Sequence, residues 1–138
     1  MSQAEFAGGC LCGAVRLRAT GPARNATLCH CRTCRRAAGA PLVAWVTFAA
    51  RDFAFTRGDP VRYRSSPLVV RTFCGRCGTP LTYARDDEPE TIDVTTISLE
   101  RAHELAPRDH IWTSHALPWA RGLDALPRSP EKRRGAHE

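Results

Sequence analysis

Hydrophobic and polar positions alternate along much of this chain with the period of a β-strand. In Ala14-Val15-Arg16-Leu17-Arg18, Val15 and Leu17 share one face while Arg16 and Arg18 share the other. Val61-Arg62-Tyr63-Arg64 alternates again after the turn formers Gly58-Asp59-Pro60. The run PLVAWVTF at 41–48 is more uniformly apolar and reads as a buried strand, with another at 53–56. Further strands are expected at 69–73, 80–83, 92–96 and 110–114. Gly, Pro and Asp clusters separate them at short intervals, the punctuation of an all-β architecture of short antiparallel strands. Helical signal is thin. A turn of helix is expected at 35–38 and another at 99–105, ahead of Pro107.

The chain of 138 residues has one domain's length, and no linker divides it. We expect a single domain over 1–127, followed by a basic, flexible tail over 128–138. Hydrophobic residues make up 43% and charged residues 25%, which excludes a disordered chain. The start, MSQAEFAGGC, has neither the basic nor the apolar region of a signal peptide. The most apolar run, 37–50, is interrupted by Gly39 and Pro41 and is too short to span a bilayer. A cytoplasmic protein with no membrane partner is expected.

Charge changes the picture only after the cysteines are considered. Nineteen of the twenty basic residues are arginine, the formal net charge is +6, and no acidic residue lies between Phe6 and Arg51. Such a bias suits an anionic partner such as nucleic acid. It equally balances an anionic metal cluster, because seven thiolates on two divalent ions would lower +6 to +3. No aromatic RNA-binding signature or helix-turn-helix pattern supports nucleic acid.

All seven cysteines fall in paired spacings: Cys10-Leu11-Cys12, Cys29-His30-Cys31-Arg32-Thr33-Cys34 and Cys74-Gly75-Arg76-Cys77. An odd, crowded set of this kind points to bound metal in a reducing compartment. In an extended CxC both side chains share a face and can grip one ion. CxxC followed by Gly78 is the spacing of a zinc knuckle, whose tight turn aims backbone N–H groups at sulfur. Seven ligands divide naturally into a closed set of four and an open set of three. Cys29, Cys31 and Cys34 could converge on one ion, leaving Cys10, Cys12, Cys74 and Cys77 for the other. A ribbon of Cys31 and Cys34 with Cys74 and Cys77 is also conceivable, and spacing alone leaves both open.

GGCLCGAVRL, CHCRTCRR and FCGRCGTPLTY resemble the three signature blocks of the glutathione-dependent formaldehyde-activating enzyme family, which includes centromere protein V. The resemblance continues through GDPVRYRSS, ISLE and HIWTSHALPWARGLDALPR, and so covers about residues 8–128. It implies an all-β, zinc-bound scaffold of the β-tent kind. It implies a structural zinc on Cys10, Cys12, Cys74 and Cys77, and a second, labile zinc on Cys29, Cys31 and Cys34. Glutathione is the implied co-substrate, and a carbon–sulfur lyase activity on its adduct with formaldehyde or another small aldehyde is the implied chemistry. Arg32, Arg35 and Arg36 are then candidates to hold the tripeptide's carboxylates. The alternative is a non-enzymatic, zinc-stabilised module that binds a protein or nucleic acid, as the centromere relative suggests.

His30, between two cysteines, is expected to point away from any ion they hold. His110, Trp112, Trp45 and Trp119 are expected in the core. A thioredoxin-type role for Cys74 and Cys77 lacks the βαβ context it would require.

Overall fold

The computed structural model describes residues 4–133 and 135. Two sheets make the fold. The smaller joins β1 (Glu5–Gly9), β2 (Arg16–Thr20) and β5 (Phe53–Arg57) in the order β1-β2-β5. The larger contains β3 (Arg24–Cys29), β4 (Val43–Ala49), β6 (Val61–Ser66), β7 (Val69–Phe73), β8 (Pro80–Arg85), β9 (Thr91–Thr95) and β10 (Asp109–Ile111). Its order is β10-β3-β4-β9-β8-β7-β6. The all-β class is as expected. One pairing departs from the antiparallel expectation: β10 runs parallel to β3, with His110 opposite Leu28.

The large sheet has two different faces because its side chains alternate. Val46, Phe48 and Val94 are fully buried on the inner face and join Phe6, Leu17 and Ala19 of the small sheet in one core. Each large apolar side chain so enclosed contributes roughly 1.5–3 kcal/mol. The other face carries a row of consecutive register partners, Arg71 to Tyr83 to Asp93 to Thr47, across β7, β8, β9 and β4. That row is the floor of the site described below.

Where the elements differ from expectation, the local chemistry gives the reason. β2 begins at Arg16 because Val15 is taken up in the preceding turn: its carbonyl accepts from the Cys10 N–H and its own N–H points at the Cys10 sulfur. β1 is short and Gly-rich, and β3 is interrupted at Asn25, whose φ of 54° breaks the alternation and shifts the register to β4. β10 stops at Trp112, which adopts a left-handed φ of 56° that is uncommon for a bulky residue. The helix expected at 35–38 is α1 (Arg32–Ala38), and the segment 99–105 contributes only the 3₁₀ turn Ala102–Glu104. Cys31 caps α1 by accepting the Cys34 N–H, and Gly39 closes it at φ 62°. Of the tail expected over 128–138, residues 128–133 are exposed, while 134 and 136–138 lie outside the described residues.

Gly8 is where the small sheet meets the chain at Leu99. A Cβ there would overlap the Ser98 carbonyl oxygen and lie 2.8 Å from the Leu99 Cα. Backbone cannot swing aside as a side chain would. Gly8→Ala is therefore expected to destabilise by about 2–3 kcal/mol or more, read as a lowered urea midpoint at an unchanged slope. A midpoint equal to that of the wild type would contradict this account.

Candidate metal centre

The structure gathers the cysteines as four and three. The sulfurs of Cys10, Cys12, Cys74 and Cys77 all lie within 4.8 Å of one another, as do those of Cys29, Cys31 and Cys34. The ribbon of Cys31 and Cys34 with Cys74 and Cys77 does not form.

In the four-cysteine set, Cys10 and Cys12 occupy a turn after β1, not the extended strand that a CxC spacing allows; the Gly13 N–H closes it onto the Cys10 carbonyl. Cys74 and Cys77 form a knuckle after β7, closed by the Gly78 N–H on the Cys74 carbonyl at 2.8 Å, with Gly78 at φ 83°. The sulfurs of Cys10 and Cys12 are 3.6 Å apart and those of Cys12 and Cys74 3.8 Å. Four sulfurs placed tetrahedrally about 2.3 Å from a zinc ion would be about 3.8 Å apart. Backbone N–H groups of Val15, Arg76 and Cys77 point at the Cys10 and Cys74 sulfurs at 3.2–3.4 Å. The Thr79 hydroxyl and N–H hold the Cys77 thiol down to about 5. Donor type, spacing and surrounding N–H groups all fit a divalent soft metal such as zinc.

The three-cysteine set fits the same chemistry with one position fewer. Cys29 ends β3, Cys31 caps α1 and Cys34 lies in its first turns. The Cys29 and Cys34 sulfurs are 3.6 Å apart; the Cys29 hydrogen bond and the nearby Arg71 hold the Cys34 thiol down to about 5, while the hydrogen bond with Cys34 and burial push the Cys29 thiol up. No fourth cysteine joins them among the described residues.

Above these sulfurs opens a cavity of about 750 Å³. Trp45, Tyr83 and Asp93 form its floor, and Trp112 and His115 reach in from the C-terminal segment. Burial pushes the Asp93 carboxyl above its usual range, and the Thr47 hydroxyl donates to its Oδ1 at 2.6 Å. Sequence reasoning missed Asp93 and Arg71. The signal was present, because Arg71 occupies the same face of its strand as buried Val69, and a charge there needs a partner.

The three arginines expected at the open site diverge. Arg32 lines the cavity. Arg35 donates to the carbonyls of His30 (3.1 Å) and His115 (3.0 Å), so it fastens the C-terminal segment to the helix. Arg36 lines a different cavity, between α1 and β6–β7. His30 is buried and hydrogen-bonded through Nε2 to His110 Nδ1 at 2.9 Å; burial holds its pKa below the usual histidine value. Trp45 is in the core as expected, but His110, Trp112 and Trp119 are exposed. Core packing fails for these three because β10 is an exposed edge strand of the large sheet and the turns that follow it stay on the surface. Among the described residues no helix is long and apolar enough to cross a membrane.

The chain is 34% identical over 80 residues to a Schizosaccharomyces pombe protein named an uncharacterized lyase, an alignment that spans 58% of each chain. It is similar to the crystal structure of a Rhodobacter sphaeroides protein, with a TM-score of 0.62 and 26% identity over 75% of this chain and 98% of that one. Residues 5–115 match the family model described as glutathione-dependent formaldehyde-activating enzyme. With four-fifths of its length inside that match, the chain belongs to the glutathione-dependent formaldehyde-activating enzyme family.

Proposed function

We propose that this protein is a zinc-dependent carbon–sulfur lyase that binds glutathione or a similar thiol and forms or cleaves its adduct with formaldehyde or another small aldehyde. The observation that carries this reading is a set of three cysteine sulfurs, with no fourth among the described residues, at a cavity of about 750 Å³. The family and the lyase-named relative support the class of reaction. In this reading Cys10, Cys12, Cys74 and Cys77 hold a structural zinc, and Cys29, Cys31 and Cys34 hold a second ion. Bound there, zinc would supply a Lewis acid that lets a thiol bind as thiolate at neutral pH.

The chain's own groups do the rest. Arg32, at the cavity rim, offers a guanidinium to a carboxylate of the thiol. Trp45 and Tyr83 supply an apolar floor that excludes water. In the forward direction the thiol's sulfur bonds to the aldehyde carbon, the C=O π bond opens, and the proton lost from sulfur ends on the new hydroxyl oxygen. Asp93 stands in the same cavity as a group able to carry that proton.

Metal analysis with and without glutathione tests the reading. Two zinc ions per chain are expected, one of them exchangeable and protected from a chelator by glutathione. One tightly held zinc with no effect of glutathione would instead favour the non-enzymatic binding module.

A further inference from the structure

We propose that Arg71 is the counter-charge of the three-cysteine centre, a positioning residue that donates to the Cys34 sulfur and so helps the set hold its exchangeable metal. Arg71 is only 8% exposed on β7, at the end of the cross-strand row that floors the cavity. Its Nε donates to the Ser65 hydroxyl at 3.0 Å. One terminal nitrogen reaches the Thr33 hydroxyl at 3.4 Å and the Cys34 sulfur at 3.6 Å. Its guanidinium carbon lies 5.1 Å from the centre of the Tyr83 ring.

Every one of those neighbours except Cys34 is neutral. Among the described residues no carboxylate pairs with Arg71; the ion pairs formed by its neighbours on the strand surfaces use Arg64 and Arg85 instead. A guanidinium does not lose its proton, so a buried one needs an anion. A cysteine that binds a metal does so as thiolate, and such a sulfur is both negatively charged and a strong acceptor. Among the described residues, the Cys34 sulfur is the one contact of Arg71 that can serve.

Among the described residues the four-cysteine set has no such partner: its donors are backbone N–H groups and the Thr79 hydroxyl. That difference matches what each set has to do. Four thiolates around a dication form a closed unit that nothing further joins. Three thiolates around a dication carry a net charge of −1, which repels an incoming anionic sulfur. Arg71 brings that charge to zero at the sulfur it touches. The last step, admission of an anionic thiol, rests on the function proposed above; the effect on metal does not.

The test compares Arg71→Met, which removes the charge, with Arg71→Lys, which keeps a charge but not the fork that reaches Ser65, Thr33 and Cys34 together. Exposed Arg62→Met, on β6, is the control. Zinc affinity is measured by competition with a chelator, and cobalt-loaded protein is scanned for its sulfur-to-metal charge-transfer band. No thiol or aldehyde is added, so failure of the lyase reading would leave these readouts untouched. Arg71→Met is expected to weaken the exchangeable zinc by about 10–100-fold, the usual cost of losing a partner of a metal ligand. Its cobalt band should move to lower energy, because an unbonded thiolate gives up charge more readily. Arg71→Lys should fall between Met and wild type, and it decides the matter if the Met variant does not fold. Wild-type zinc affinity together with an unshifted band in the Lys variant, or in a folded Met variant, would overturn the proposal.

Discussion

Cys77→Ser is expected to yield protein that has lost cooperative unfolding and most of its solubility. The four sulfurs of its set join a turn after β1, in the small sheet, to a knuckle after β7, in the large one. Cys12 and Cys74 are 62 positions apart, so an ion held between them closes a long loop. Zinc bound by four thiolates contributes about 10–16 kcal/mol to the folding of small domains. Domain stability as a whole is about 5–15 kcal/mol, so losing most of that contribution leaves nothing in reserve. The measurements are zinc content, far-ultraviolet circular dichroism and the fraction that remains soluble. A variant that melts cooperatively within a few degrees of wild type would show that the two sheets need no metal to stay together.

Cys31→Ser is expected to do the opposite, leaving the fold and removing the site. Cys29, Cys31 and Cys34 span six positions at the junction of β3 and α1, so the restraint they place on the chain is local. The substitution also keeps what Cys31 does for the helix. Its sulfur accepts the Cys34 N–H at 3.3 Å, and serine is among the best residues at that capping position. The melting temperature should therefore change by only about 1–3 °C, while zinc falls from two ions per chain to one and glutathione binding is lost. If Cys31→Ser unfolds the protein and Cys77→Ser leaves it folded and inactive, the structural and open roles are reversed.

Much of this was legible in the sequence, for physical reasons that also mark where legibility ends. Alternation and short apolar runs bounded by turn residues are local properties, so β2, β4, β5, β6, β7, β8 and β9 could be read from neighbours alone. β1 and β3 could not, because glycine and a left-handed Asn25 erase the pattern. The four-and-three grouping was one of two partitions that spacing allowed; the choice is made by which turns the sheets bring together. The open cavity was not legible at all. Its floor is a row of residues from four strands, and its wall is Trp112 and His115, held there by the parallel pairing of β10 with β3 and by Arg35. Asp93 and Arg71 gain their meaning only from that assembly.

The pairing of β10 with β3 has a consequence for how the molecule is made. His110 lies beside Leu28, 82 residues earlier in the chain. A ribosome adds about 5–20 residues per second, so β3 and the cysteines that follow it wait roughly 4–16 s before their covering strand is synthesised. Cys10 and Cys12 wait a comparable time for Cys74 and Cys77. During that interval the first five thiols are present without the later strands, in a stretch with no acidic residue between Phe6 and Arg51. Five of the seven cysteines are thus made before Cys74 and Cys77, the two that complete the four-cysteine set.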